Sequence, residues 1–191
     1  SFHNQIYFPV RALVTGINPY SEEYVAYHPD SALGKKIAMD PVPPSTLLVL
    51  SPLAFLQLHA AEIAYMAICF LLSIACASLL IHSASDYPPG LGGTLTLAAL
   101  MIICLPGVEA FVSYPAVMLA LFGVLLAIEY AGRGDFISGL GIVLAFCQPI
   151  TGAAVLILLL FRRNFSAFAF GVLMLLVFNV LTIAWIGNNA G

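Results

Sequence analysis

Polar and apolar positions change character near residue 45. Over residues 1–44 they are mixed, and this stretch holds both lysines together with Glu22, Glu23, Asp30 and Asp40. Turn signals fall at Asn18-Pro19, Pro29-Asp30 and Pro41 to Pro44, where the fixed proline φ and local Asn or Asp hydrogen bonding interrupt regular structure. A short helix is predicted near Tyr7–Thr15, stopped at Gly16, followed by an ordered loop. Pro43, Pro44 and Ser45 then make a helix start.

From residue 45 onward the chain is a series of apolar runs. Residues 45–82 are helical in pattern but too long for one span: at helical rise they would extend roughly 57 Å, against about 30 Å of hydrocarbon. The polar cluster Gln57, His59 and Glu62 marks a break. We read an interfacial helix over 45–57 and a span from about 60 to 82. A Pro- and Gly-rich loop, His82 to Gly93, precedes a short span over 94–106 that ends at Pro106-Gly107. The next span is 111–130, and the last is 165–186. Residues 136–161, with Pro149 inside, fit either one kinked span or a hairpin of two half-helices meeting at Cys147-Gln148-Pro149.

Composition fits this pattern. Apolar residues make up 62% of the chain and charged residues 8%, whereas soluble domains carry about 45–50% and about 25%. A soluble protein could not hide that much apolar surface, and lipid is the solvent that permits it. The expected fold is therefore all-α: a polytopic transmembrane helix bundle over 45–191, with an extracytoplasmic loop domain at 1–44. The net charge of −3 is spread out and no basic stripe is present, which excludes nucleic acid as a partner. Cys69, Cys76, Cys104 and Cys147 each sit in an apolar run without a CxxC pair, as buried small hydrophobes do. The chain opens at Ser1 without an initiator Met and ends just after an apolar helix; we read it as a piece of a longer polytopic protein.

Charge orients the bundle. Arg133 and Arg162-Arg163 flank residues 136–161, and the positive-inside rule puts all three on the cytoplasmic side. That requires an even number of crossings between them, which the hairpin provides. Each arm would be about 18 Å long, too short to span, and so re-entrant. Residues 1–44, Gly107–Ala110, Gln148 and Gly187–Gly191 then collect on the outer side, in the inner membrane of a cell.

These outer residues also carry a resemblance. The stretch Tyr7-Phe-Pro-Val-Arg11-Ala-Leu-Val-Thr-Gly16-Ile-Asn18-Pro19-Tyr20 resembles the first outer loop of the GT-C glycosyltransferases, specifically glycosyltransferase family 87. That family shows a tyrosine-rich helix with an Arg-Ala-Leu core, then Gly-x-Asn-Pro-Tyr, then a Pro-rich entry to a hydrophobic helix. Here Pro41-Val-Pro43-Pro44 is followed by Leu47 to Leu58 with Ser51-Pro52-Leu53. Gly107-Val108-Glu109, Gln148-Pro149 and Arg162-Arg163 stand where the family has Gly-Gln, Lys-Pro and Arg-Arg. Two positions depart from the pattern. The family's catalytic acid would lie about where Ser1 begins, and its Lys before Pro is Gln148.

The resemblance implies a GT-C-like N-terminal module and transfer of a sugar from a polyprenyl-phosphate donor to an extracytoplasmic acceptor. Such chemistry needs a carboxylate at the acceptor hydroxyl, cations or donors for the departing lipid phosphate, and an apolar groove for the prenyl tail. Glu109 and Asp40 are the leading carboxylates, since Glu109 stands between two apolar runs where a charge is costly; Asp30, Glu22 and Glu23 follow. Arg11, Lys35 and Lys36 are the phosphate candidates, Arg11 first because a guanidinium contacts phosphate bidentately. Tyr20 and Gln148 complete the substrate-binding set, although Asn18-Pro19-Tyr20 also reads as a shaped turn and Gln148 as a helix-packing residue. His59 and Glu62 share a helix face as an interfacial polar pair. No cofactor is implied beyond, at most, a divalent cation, and no metal ligand set is assigned. The implied partners are membrane lipid, the lipid-linked sugar and a membrane protein complex. Two alternatives stay open: a non-catalytic scaffold or accessory subunit of a larger complex, and a transporter, against which stands the lack of an inverted repeat. The Asn164-Phe-Ser166 sequon falls on the cytoplasmic side of this topology and is discounted.

Overall fold

The computed structural model describes residues 2–28, 43–84, 90–103 and 116–189. All regular structure among these residues is helical. A π-helical turn, His3–Tyr7, runs directly into α1, Phe8–Val14. Then come α2 (Glu22–Tyr27), α3 (Pro44–Leu50), a 3₁₀ turn (Ser51–Phe55) and α4 (Leu58–Ala84). The remaining helices are α5 (Leu91–Ile103), α6 (Ala116–Glu129), α7 (Asp135–Ala145), α8 (Pro149–Phe161) and α9 (Phe165–Asn189).

Among the described residues two helices are long and apolar enough to cross a bilayer, Leu58–Ala84 and Phe165–Trp185. Long apolar helices also form the cores of soluble proteins, where they are mostly buried. Here only 28% and 22% of the respective windows is buried. The exposed side chains are Ile63, Met66, Phe70 and Leu71 on one helix and Leu173, Leu176, Val180 and Ile183 on the other. Surfaces of that kind belong to a membrane protein, in which lipid takes the place of water. Among the described residues the other apolar helices are 11–14 residues long, at most about 21 Å at helical rise and short of the hydrocarbon thickness.

Contacts at both ends of α7 define its neighbours. The Ser138 hydroxyl donates to the Ala127 carbonyl at 2.9 Å. Gly123 and Gly141 bring α6 and α7 to backbone contact: a Cβ on Gly123 would stand 2.5 Å from the Gly141 oxygen, and one on Gly141 would stand 2.6 Å from the Ala127 nitrogen. The two helices are thus antiparallel. On the other side Ser166 donates to Asp135, and Gly139 faces the Phe170–Gly171 backbone, so α7 and α9 run parallel. For that to hold, α8 must run back between them. The reversal is built at Phe146–Gln148. The Phe146 ring fills the place a Cβ on Gly152 would take, and Pro149 opens α8, where its missing N–H costs nothing.

A consequence is that Arg133 and Arg162-Arg163 lie at one end of the bundle. Asn164 Oδ1 is 3.7 Å from where a Gly132 Cβ would stand. Glu129 pairs with Arg133 at 3.2 Å and accepts from Ser83, near the end of α4, at 2.5 Å. The opposite end is closed by a core of Phe2, Ile6, Tyr7, Val10 and Leu13 from the N-terminal helix, with Leu47, Leu50, Leu53, Tyr65, Met118 and Cys147. Trp185, late in α9, packs against it. The N-terminal residues are therefore tied to the same end as the Gln148 turn.

Two helix ends use the same closure. Gly16 donates to Leu13 and Ile17 to Ala12; Arg163 donates to Leu160 and Asn164 to Leu159. Each residue closing the helix is left-handed, with φ 85° at Gly16 and 58° at Arg163. Glycine takes that conformation freely, whereas an arginine is strained in it.

Candidate functional site

The polar groups at the Tyr7 end are arranged by the N-terminal helix. Its apolar residues at 2, 6, 10 and 13 point inward and are buried. The Phe2 ring stacks on Tyr65 of α4, with centroids 4.8 Å apart. The remaining stripe, His3, Tyr7 and Arg11, recurs every four residues. A helix places such residues on one face, and the π turn, wider than α, keeps His3 in line with Tyr7.

Tyr7 anchors this stripe. It is 1% exposed, its hydroxyl donates to the Leu56 carbonyl at 3.0 Å, and its oxygen accepts from Arg11 Nη1 at 2.5 Å. The Arg11 guanidinium carbon lies 5.7 Å from the Tyr7 ring centroid. Arg11 itself is exposed. Among the described residues it has no carboxylate partner. A guanidinium held by a buried phenol, with its other N–H groups uncommitted to any described acid, can receive an anion.

At the other end of the stripe, His3 Nε2 stands 3.5 Å from Glu62 Oε1. His59 Nδ1 stands 3.8 Å from Glu62 Oε2. The expected interfacial pair His59–Glu62 is thus present and acquires His3 as a third member. Among the described residues no group of three or more His, Cys, Asp and Glu side chains is placed to hold a metal ion.

The other candidates divide clearly. Asp40, Glu109, Lys35, Lys36 and Asp30 lie outside the described residues. Glu22 and Glu23 are exposed in the first turn of α2, where carboxylates favour the positive helix end. Tyr20 lies in a turn that Asn18 shapes: Asn18 Oδ1 accepts from the Tyr20 N–H at 2.9 Å, and the Asn18 carbonyl accepts from the Ser21 hydroxyl at 2.7 Å. Its ring is 41% exposed, and the part that is covered pushes the phenol up to about 12, leaving it a neutral hydrogen-bonding group at physiological pH. Gln148 is half-buried and caps the turn into α8. Its side-chain oxygen accepts from Thr151 at 2.9 Å, at the same end of the bundle as Tyr7.

Sequence reasoning passed over His3 and Tyr7 and treated Glu62 as an interfacial residue only. The four-residue spacing His3–Tyr7–Arg11 was a usable signal for the stripe. Nothing local announces that Glu62 meets it.

The family model for glycosyltransferase family 87 matches residues 42–190. The chain belongs to glycosyltransferase family 87. The matched range contains Glu62, Glu109 and Gln148 and leaves Arg11, Tyr20, Lys35, Lys36 and Asp40 outside it. No curated protein and no solved structure matches the chain.

Proposed function

We propose that this chain forms part of an integral membrane glycosyltransferase that moves a sugar from a polyprenyl-phosphate donor to an extracytoplasmic acceptor. Membership of glycosyltransferase family 87 supports the transfer chemistry. The observation that carries the donor class is Arg11: an exposed guanidinium, fixed by buried Tyr7, at the end of the bundle opposite Arg133, Arg162 and Arg163. With those arginines on the cytoplasmic side, the Tyr7 end and residues 1–44 face outward in the cell membrane, and residues 136–161 form a re-entrant pair of half-helices. A lipid phosphate arriving in the outer leaflet meets Arg11 at that level, while the exposed apolar faces of α4 and α9 can take the prenyl chain.

In this scheme Arg11 holds the phosphate as the bond from the sugar carbon to its oxygen breaks, and so lowers the cost of the charge that develops there. Lys35, Lys36, Tyr20 and Gln148 contribute to donor and sugar binding. A carboxylate, for which Asp40 and Glu109 are candidates from the sequence, takes the proton of the acceptor hydroxyl.

The test uses the purified protein in detergent with polyprenyl-phosphate-linked mannose, glucose and arabinose as donors, measuring released polyprenyl phosphate. Arg11→Ala should lower turnover by about 100-fold or more, and Arg11→Lys should restore little of it. Wild-type turnover in Arg11→Ala would remove Arg11 from the mechanism. A scaffold role is the second reading. It becomes the better account if the wild-type protein releases no polyprenyl phosphate from any of these donors.

A further inference from the structure

We propose that the arginine end of the bundle binds anionic phospholipid, with Arg162 and Arg163 holding the headgroup phosphate. The inference starts from where the membrane surface falls at this end. One membrane-crossing helix begins at Phe165 and the other ends at Ala84. Side-chain bonds tie these ends together. Ser83 donates to Glu129 at 2.5 Å, and Glu129 pairs with Arg133 at 3.2 Å. Asn164 Oδ1 stands 3.7 Å from where a Gly132 Cβ would be, so the α6–α7 turn meets the α8–α9 turn. Arg162 and Arg163 come just before a lipid-facing helix, and so lie at headgroup depth.

The charges at this level differ in what already engages them. Arg133 is answered by Glu129, and the Asp135 carboxylate accepts from Ser166. Arg162 and Arg163 are exposed. Among the described residues neither has an acid partner or a side-chain hydrogen bond. Backbone bonds alone shape their turn: Arg162 donates to Leu158, Arg163 to Leu160 and Asn164 to Leu159. Arg163 stands at φ 58°, where glycine or asparagine would cost less. A strained residue whose side chain bonds to nothing in the described chain points to a partner outside it.

The neighbours of the two arginines say what that partner is. Phe161 is 82% exposed, Phe165 61% and Phe136 60%. Phe161 precedes Arg162, and Phe165 follows Arg163 by two residues. Phe136 adjoins Asp135, whose bond to Ser166 sets the start of α7 against the start of α9. Rings so placed fit among acyl chains just below the headgroups, while guanidiniums reach up to the phosphates. A guanidinium meets a phosphate oxygen pair bidentately. A soluble anion has no use for the phenylalanines, whereas a phospholipid fits both halves of the patch. In the orientation proposed above this end meets the cytoplasmic leaflet, where anionic lipid gives a negative surface potential. The site lies at the opposite end from Arg11 and does not depend on the transfer chemistry.

The test titrates the full-length protein in detergent with phosphatidylglycerol or phosphatidylcholine and reads binding by native mass spectrometry. Wild type should bind phosphatidylglycerol more tightly, on the order of tenfold. Arg162→Gln combined with Arg163→Asn should remove most of that preference. Asparagine tolerates the left-handed backbone, and thermal unfolding without added lipid checks that the variant folds. Glu129→Gln combined with Arg133→Gln leaves the net charge unchanged and should keep the preference. A folded Arg162→Gln, Arg163→Asn protein with the wild-type preference overturns the assignment, as does a wild-type protein that binds both lipids equally. If that variant does not fold, wild type at about 0.05 M and about 1 M salt decides. Exposed charges predict a preference that falls with salt, and an unchanged one removes the site. Inorganic phosphate that raises the unfolding temperature as much as phosphatidylglycerol does would mark a soluble-anion site and sink the lipid reading.

Discussion

Arg11 donates to the phenol oxygen of Tyr7 one helical turn before it, at 2.5 Å, while the Tyr7 hydroxyl donates onward to the Leu56 carbonyl. One buried oxygen therefore both orients an exposed cation and ties the N-terminal helix to the turn that opens α4. Tyr7→Phe removes both bonds and leaves the ring in place. We expect a loss of about 1–3 kcal/mol of stability, because the Leu56 carbonyl loses its partner, and a fall in turnover from a loosened Arg11. Denaturation in detergent and the donor-release assay measure the two effects separately. A variant as stable and as active as wild type would show that the bonds matter to neither.

The contact between α6 and α7 leaves no room for side chains. Gly141→Ala places a methyl 2.6 Å from the Ala127 nitrogen and 2.7 Å from the Gly123 oxygen, and backbone cannot move aside as a side chain does. Overpacking of this kind costs about 1–3 kcal/mol or more, and it would also strain the Ser138–Ala127 bond. Gly92→Ala is the control: nothing lies within 4 Å of its Cβ, so the better helix propensity of alanine should leave stability unchanged or raise it by up to about 1 kcal/mol. Thermal unfolding of the two variants side by side should separate them clearly.

Arg163 adopts the conformation that glycine serves at Gly16. Arg163→Gly should relieve left-handed strain of roughly 1–2 kcal/mol, offset partly by the greater freedom of glycine in the unfolded chain. A modest rise in unfolding temperature is expected. A drop would mean that the Arg163 side chain stabilises the α8–α9 turn by more than its backbone costs.

Accessibility tests the membrane topology. With the four native cysteines replaced, single cysteines at Asn18, Arg133 and Arg163 can be probed with an impermeant maleimide. Asn18→Cys should react in intact cells; Arg133→Cys and Arg163→Cys should react only after permeabilisation. Labelling of Arg133→Cys and Arg163→Cys from opposite sides would mean that residues 136–161 cross the bilayer once.

How much was legible beforehand varies by element. The breaks were: Pro44, Gln57 to Glu62, Pro149 and the arginine loops each mark an element end, because proline geometry and the cost of charge in an apolar run act over a few residues. Arg11 was also legible, as a lone guanidinium on a short predicted helix. Its holder Tyr7 was not, since any aromatic on that face reads equally well as core. Glu62 was read with His59, three residues away, and not with His3, which lies 59 positions earlier.

By itself the sequence determined the solvent and the segmentation of this protein. Sixty-two per cent apolar residues require a lipid-facing surface, and local chain chemistry says where helices begin and end. Only the tertiary structure decided that α8 runs back beside α7, and that His3, Glu62 and Arg11 share one end of the bundle. Helix propensity alone does not say which way α8 runs relative to α7. What selects the fold is packing between distant residues, Gly123 on Gly141, Gly139 on Phe170 and Phe146 on Gly152, whose complementarity exists only once the helices meet.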